Sequence, residues 1–167
     1  SNVYMKIGSQ PAKLPSFFID SLSNSAINSS KYRISALDSC AYETTQSDYH
    51  KTMHLTINSG LGGAWNLIWE RYEGFNYGTI NIYRGTSANS LFKIAEQASN
   101  TFTFTDLTPP IGTVYYQIEI VSPNPCNIGM LKSSNDNYLV SRSNMVNSNQ
   151  VTSLGEQMER NIEVFPN

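Results

Sequence analysis

One stretch of this sequence occurs twice, once whole and once without its first part. The whole copy runs through residues 80–86, 91–94, 102–107 and 114–121 to Cys126, and the shorter copy runs through residues 3–7, 17–22 and 31–37 to Cys40. A chain of repeated small units is best interpreted as an array. Because each copy has the pattern of a scaffold, the repeat argues against catalysis.

Composition indicates β-structure and excludes two classes of partner. Charged residues make up 14% of the 167 residues, well below the usual ~25%, and Ser, Asn, Thr and Tyr are abundant, which suits strands joined by turns. The net charge is −2 without a basic cluster, so we expect no nucleic-acid binding. No apolar run approaches the ~20 residues that a membrane-spanning helix needs.

Alternating apolar residues predict several short strands. Trp65, Leu67 and Trp69 share one face of a strand, and Val114, Tyr116, Ile118 and Ile120 form the strongest such pattern. Four further strands are predicted. One has Ile80 and Ile82 facing inward, a second covers residues 91–95, a third has Phe102 and Phe104 facing inward, and the last covers residues 138–146. Turn signals between short alternating strands are typical of a sandwich or barrel.

Four segments, in this order, resemble a fibronectin type III module: residues 67–69, 81–87, 102–109 and 115–121. The resemblance implies an all-β, immunoglobulin-like β-sandwich. It predicts one complete module at residues 53–148, preceded by the C-terminal half of another at residues 1–52, which another segment or chain would complete. The family anchors its long strand with a tyrosine. Counting back from Ile118 places Val114 at that position, so either the register shifts or this anchor is absent.

The C-terminal tail has a second resemblance. Residues 161–167 resemble the first residues of the sorting domain that directs proteins of the Bacteroidota through type IX secretion. Residues 149–167 are therefore expected to be a linker and the start of that domain, in a longer protein that is secreted or held on the outer cell surface. The resemblance implies the type IX secretion machinery as a partner. In the same lineage, the pattern at residues 20–22 implies O-glycosylation of Ser21, although a strand-ending turn is the simpler explanation.

An aromatic group at Tyr72, Phe75 and Tyr77 is the candidate contact site. These residues lie in the predicted loop between the first two long strands. They can stack on a sugar or a partner protein, or they can fill the joint with the preceding module. We favour the joint, because in this fold the loop lies at the end where the previous module attaches.

Catalytic and metal-binding patterns are weak. His50 and His54 would stand ~13 Å apart on one strand, too far to share a metal ion. The polar residues 135–137 are better explained as a loop than as a calcium site. Glu70 and Glu73 could serve hydrolysis, but acids near a turn are usually solvated. We therefore predict no enzyme, no metal and no cofactor.

Cys40 and Cys126 occupy equivalent places in the two copies. In a straight tandem they would be one module length apart, beyond the reach of a disulfide, so no mutual bond is expected. The resulting hypothesis is a non-catalytic spacer or adhesion protein that contacts surface glycans or other cell-surface proteins. The alternative is an accessory carbohydrate-binding module of a secreted hydrolase.

Overall fold

The computed structural model describes residues 4–14, 17–124 and 139–150. Within these ranges every regular element is a β-strand except the single-turn 3-10 helix Leu61–Gly63. The all-β prediction is confirmed. In the described part of the chain, no helix has the length and apolarity needed to cross a membrane.

Most of the strands belong to the C-terminal unit, by which we mean the described residues from Met53 onward. They are β3 (Leu55–Ser59), β4 (Trp65–Trp69), β5 (Thr79–Ser87), β6 (Ser90–Ala98), β7 (Thr103–Asp106), β8 (Tyr115–Val121), β9 (Val140–Arg142) and β10 (Val146–Asn147). They form a three-stranded sheet in the order β3-β4-β7 and a five-stranded sheet in the order β10-β8-β5-β6, with β9 also on β8. Every pairing is antiparallel.

The two sheets pack on one hydrophobic core. The three-stranded sheet contributes Leu55, Leu67 and Trp69, and the five-stranded sheet contributes Ile82, Tyr116 and Ile118, among others. These residues alternate with more exposed ones, as the period of two predicts for strands buried on one face. Phe102 and Phe104 also pack against this core, as predicted. The arrangement is consistent with a β-sandwich.

The final predicted strand is interrupted. Its visible part consists of β9 and β10, separated by residues 143–145, while Tyr138 lies outside the described residues. The side chain of Asn144 crosses to the other sheet, where its Oδ1 accepts from the Leu55 N–H at 2.7 Å and its Nδ2 donates to the Leu55 carbonyl at 2.9 Å. These two hydrogen bonds link the two sheets.

A buried polar network lies at the end of the core. The Asp106 carboxylate accepts from the Arg84 guanidinium at 2.7 Å and from the Tyr116 hydroxyl at 2.7 Å. Burial opposes ionisation of Asp106, but the bonds from Arg84 and Tyr116 outweigh it and lower the pKa of Asp106. Burial and the bond to Asp106 raise the pKa of Tyr116. The buried tyrosine of the long strand is therefore Tyr116. It lies two residues after Val114, the position at which the sequence count placed the family's tyrosine.

The described residues before Met53, which we call the N-terminal unit, form a smaller structure. β1 (Lys31–Tyr32) pairs with β2 (His50–Lys51) in a two-stranded antiparallel sheet, and Leu37 bridges Glu43 further along. Much of the remaining backbone is irregular. One contact matches the Tyr116–Asp106 bond of the C-terminal unit: the Tyr32 hydroxyl donates to the Asp20 carboxylate at 2.9 Å.

Candidate functional site at the joint of the two units

The three predicted aromatic residues lie in the loop between β4 and β5 and contact one another. The Tyr72 and Phe75 ring centroids are 4.6 Å apart, and Tyr77 lies 6.0 Å from Tyr72. Tyr72 is only 4% exposed, while Phe75 and Tyr77 are half-buried and pack against the core. Tyr72 therefore cannot offer the open face that stacking on a sugar requires.

His50 of β2 covers this aromatic group from the N-terminal unit. Its ring centroid lies 5.9 Å from that of Tyr72 and 6.3 Å from that of Phe75, both in edge-on orientation. Its Nδ1 is hydrogen-bonded to the Tyr72 hydroxyl. We call His50, Tyr72, Phe75 and Tyr77 the aromatic cluster. It joins the two units through one side chain of the first and three of the second.

Backbone hydrogen bonds hold the loop against β2 and the residues that follow it. The Lys51 N–H donates to the Glu73 carbonyl at 2.7 Å, and the two residues form an antiparallel bridge. The Glu70 N–H donates to the His54 carbonyl at 3.0 Å. The loop is thus bonded at both of its acidic residues, beside the aromatic cluster.

Two carboxylates add charged contacts across the same joint. Glu70 pairs with Lys51 at 2.6 Å and accepts from the Ser29 hydroxyl at 2.6 Å. Glu73 pairs with Lys31 at 3.3 Å and accepts from the Tyr49 hydroxyl at 2.5 Å. We call Glu70 and Glu73 the joint carboxylates, and their partners all belong to the N-terminal unit.

The acidity of these groups follows from their contacts. The hydrogen bonds from Lys51 and then Ser29 lower the pKa of Glu70, and the bond from Tyr49 lowers the pKa of Glu73. Burial, with a smaller contribution from Tyr77, raises the pKa of Tyr72 to about 12. A general acid that works near neutral pH needs a raised carboxyl pKa. The joint carboxylates are shifted the opposite way, as in structural ion pairs.

Gly74 lets the loop pass close to the cluster. Its φ of +154° lies in a region that side chains disfavour, and a Cβ at this position would contact the His50 ring and lie 2.7 Å from the Tyr72 hydroxyl oxygen. We expect Gly74→Ala to destabilise the protein by about 1–3 kcal/mol, from backbone strain and displacement of His50. Urea unfolding measures this change.

Gly78 provides the matched control for this substitution. It lies in the same loop, and a Cβ there would meet no atom within 4 Å. Gly78→Ala should therefore change the free energy of unfolding by less than about 0.5 kcal/mol. Equal effects at both glycines would contradict the close approach at Gly74.

A surface pocket of about 330 Å³ opens beside the cluster. It is lined by Tyr49, Arg71, Tyr72, Glu73, Phe75 and Asn76. A second pocket of about 180 Å³ lies between the two units and is lined mainly by hydroxyl and amide side chains, with Arg142 at its edge. The first pocket combines an aromatic face with charged and amide groups, a set that can bind polar ligands.

The other candidate residues do not belong to the aromatic cluster. Ser21 is exposed on a turn in which the Asp20 carboxylate accepts from the Leu22 N–H at 3.0 Å. His54 lies near Ser25, whose carbonyl oxygen is 3.0 Å from its Nδ1. Among the described residues no cluster of three His, Cys, Asp or Glu could hold a metal ion.

Cys40 is exposed and forms no disulfide with any described residue, whereas Cys126 lies outside the described residues, as do the polar loop at residues 135–137 and the tail at residues 151–167. Sequence reasoning missed Ser29, Lys31 and Tyr49 as partners of the joint carboxylates. No pattern marks them, because they reach Glu70 and Glu73 only after the N-terminal unit folds back on the loop.

Comparison with known proteins gives weak similarities. No protein-family model and no curated protein matches this chain. Among solved structures it is similar to pectate lyase PelI from Erwinia chrysanthemi, determined in complex with tetragalacturonic acid, at 22% identity over 59% of this chain and 29% of PelI, with a TM-score of 0.46. It is also similar to pectate lyase Pel3 from Pectobacterium carotovorum, at 28% identity over 58% of this chain and 26% of Pel3, with a TM-score of 0.43. The chain spans less than a third of either enzyme, and TM-scores this low carry no argument about its activity.

Proposed function

We propose that this chain is a non-catalytic spacer in which two fibronectin type III-like units are joined rigidly end to end. The observation that carries the proposal is that the buried Tyr72 of one unit contacts His50 of the other. This contact places the aromatic loop of the C-terminal unit in the joint. A spacer holds the domains or partners at its ends at a set distance and angle. Rigidity at the joint is therefore the property that its function needs.

The strand order supports assignment to the fibronectin type III type. That fold places three strands on one sheet and four on the other, and the C-terminal unit has β3-β4-β7 facing β10-β8-β5-β6. In this interpretation β9 and β10 are two parts of one terminal strand on β8. The module type is inferred from topology together with the sequence resemblance.

The proposed location follows from the tail. Residues 161–167, which resemble the start of a type IX sorting domain, imply export by that machinery and a place outside the cell or on its surface. Partners in that setting are surface glycans or other cell-surface proteins, and Ser21 is the proposed O-glycosylation site. Mass spectrometry of the secreted protein would test both export and modification.

Tumbling in solution tests the rigid joint. If the units move as one body, ¹⁵N relaxation at pH 7 should give one rotational correlation time for both. We expect His50→Ala to separate the two values, because it removes the N-terminal unit's ring from the aromatic cluster. Tyr42→Ala is the matched control, since Tyr42 is an exposed aromatic of the same unit. Two separate correlation times in the unmutated protein would overturn the proposal.

The joint should loosen in acid. Both joint carboxylates have a pKa below the ordinary value of 4.5 because of their hydrogen bonds. Their contribution to the joint is therefore fully present above pH 4.5 and is lost as the pH falls through their lowered folded-state pKa values. We expect the two correlation times to diverge in that acid range, as measured by relaxation at a series of pH values.

A double variant isolates the carboxylates in that experiment. Glu70→Gln/Glu73→Gln cannot ionise at these positions, so its joint should respond less to acid than that of the unmutated protein. Glu96→Gln is the control, because its pairing with Lys93 lies within β6. An unchanged acid response in the double variant would assign the effect to other groups.

The pocket beside the cluster favours one alternative, an accessory carbohydrate-binding module. Phe75 is half-buried rather than fully covered, and Arg71 and Asn76 line the same pocket. Titration with neutral and acidic oligosaccharides, followed by amide shifts of residues 71–76, tests this function. Saturable shifts that disappear in Phe75→Ala would support the module over the spacer.

A further inference from the structure

The pocket beside the aromatic cluster is built by both units. Arg71, Phe75 and Asn76 of the C-terminal unit line it, and Tyr49 lines it from the N-terminal unit. Its volume of about 330 Å³ falls at the lower end of the range for small-molecule sites, about 300–1,000 Å³. Because its walls come from two units, the pocket is complete only while the joint is formed.

Cations predominate around this pocket. Arg71 lines it and is exposed. Beside Tyr49, the Lys31 Nζ lies 4.3 Å from the ring centroid and the Arg33 Cζ lies 5.9 Å from it. The carboxylate of Glu73 also lines the pocket, and it is paired with Lys31 at 3.3 Å. Three cations therefore lie around one carboxylate that is already paired, in a chain whose net charge is −2.

Aromatic rings hold Arg33 in place. Its Cζ lies 4.7 Å from the ring centroid of Tyr4, so the guanidinium contacts Tyr4 as well as Tyr49. Arg33 is nevertheless exposed. The planar guanidinium both stacks on aromatic faces and matches the oxygens of planar or tetrahedral anions. An arginine already restrained by such contacts binds an anion at a smaller cost in side-chain entropy.

The remaining lining groups suit a sugar. Phe75 is half-buried and lines the pocket, so part of its ring is accessible to a ligand. Asn76 is exposed and lines the same pocket with an amide that can both donate and accept hydrogen bonds. An aromatic ring packs against the apolar face of a sugar ring, and an amide binds its hydroxyls. Together with the arginines, these groups match a sugar that carries negative charge.

We infer that this pocket binds an acidic sugar, one that carries a carboxylate or sulfate group, with Arg71 and Arg33 on the anion and Phe75 against the sugar ring. The inference rests on the carbohydrate-binding function proposed above for this pocket, and it narrows the ligand from sugars in general to anionic ones. The binding residues come from both units, so we call the pocket the shared site. By the reciprocity of linked equilibria, a bound acidic sugar also strengthens the joint.

Titration of the full chain with three tetrasaccharides tests the ligand class. The probes are unsulfated chondroitin tetrasaccharide, its sulfated form and neutral chitotetraose, and binding is followed by the amide shifts of residues 71–76. We expect the acidic probes to bind saturably and about tenfold more tightly than the neutral one, the effect of one charge-assisted hydrogen bond. Their affinity should fall as the salt concentration rises.

The same titration distinguishes the two anions. Binding of the unsulfated acidic probe assigns recognition of the carboxylate, whereas binding of the sulfated form alone assigns recognition of sulfate. Either result supports the shared site. Equal binding of the acidic and neutral probes would overturn the inference, as would the absence of saturable binding.

Removal of single charges identifies the residues. Arg71→Gln keeps a polar side chain but loses the cation, so it should weaken binding of the acidic probe about tenfold and leave the neutral probe unaffected. Arg33→Gln should weaken the acidic probe in the same direction. Lys93→Gln is the control, because it removes an exposed cation of β6 that pairs with Glu96. Equal losses in Arg71→Gln and Lys93→Gln would indicate general attraction between opposite charges and refute the site.

Correlation times separate this inference from the functions proposed above. If the chain has one correlation time and binds neutral and acidic sugars equally, the rigid joint and carbohydrate binding both stand and the inference fails. If the free chain has two correlation times that converge when the acidic probe is added, the rigid spacer fails and the shared site is supported. In His50→Ala the acidic probe should likewise bring the two values together. Values that stay apart at saturation would contradict a site that needs both units.

Discussion

Replacement of Asp106 by alanine is expected to lower the free energy of unfolding of the C-terminal unit by about 3 kcal/mol, the loss typical of breaking a buried ion pair. The carboxylate lies between Arg84 and the fully buried Tyr116, and it also accepts from the Thr108 N–H at 3.2 Å. Without it, the Tyr116 hydroxyl is left inside the core without its acceptor. A buried polar group that loses its partner retains the full cost of its lost hydration.

Urea unfolding followed by tryptophan fluorescence measures this effect. Trp65 and Trp69 are the two tryptophans of the chain and both lie in β4, so the signal reports the C-terminal unit. Glu96→Gln provides the control, because it removes only a solvent-exposed pair with Lys93 and should leave the free energy of unfolding nearly unchanged. A similar loss in both variants would mean that Asp106 is not the buried centre described above.

Ile118→Ala is expected to cost about 3 kcal/mol, whereas Ile34→Ala should cost less than about 0.5 kcal/mol. The two isoleucines occupy equivalent positions when Tyr32, which binds Asp20, is aligned with Tyr116, which binds Asp106. The residue type and the place in the repeat are the same, and only the burial differs, at 0% against 76% exposed. Ile118 leaves a cavity between β8 and its neighbours when it is truncated. Ile34 is already in contact with water.

This pair of variants is measured by urea unfolding with two signals, fluorescence for the C-terminal unit and far-ultraviolet circular dichroism for the whole chain. A large loss of stability in the free Ile34→Ala variant would show that Ile34 is covered in solution, against the exposure described here.

Local patterns were sufficient for most of the strands. Period-two alternation placed the inward residues of β4 and β8 correctly, because a strand buried on one face must alternate. The pattern predicted β6 only over residues 91–95, whereas it spans Ser90–Ala98. The residues of β6 beyond Ala95 are held by pairing with β5. This pairing joins two separate segments of the chain, so the hydropathy of residues 90–98 does not indicate it.

The candidate site could be predicted only in part. Tyr72, Phe75 and Tyr77 were recognisable as an aromatic group in a loop, but nothing local distinguished an exposed platform from a covered joint. That choice depends on His50, which approaches from the other unit. In the same way, the Asp–Tyr bond in each copy joins residues ten or twelve positions apart, and its recurrence became visible only in three dimensions.

The sequence by itself determined the all-β class, the positions of the main strands and the presence of a repeat, since these follow from side-chain type and period along the chain. Tertiary structure alone decided that the aromatic loop is covered by His50, that the joint carboxylates are paired with lysines, and that Ile34 is exposed where Ile118 is buried. The physical reason is that burial and ion pairing depend on which distant surfaces meet. Two copies of one pattern therefore have different environments, since Ile118 lies opposite Ile82 of β5 whereas Ile34 is largely exposed.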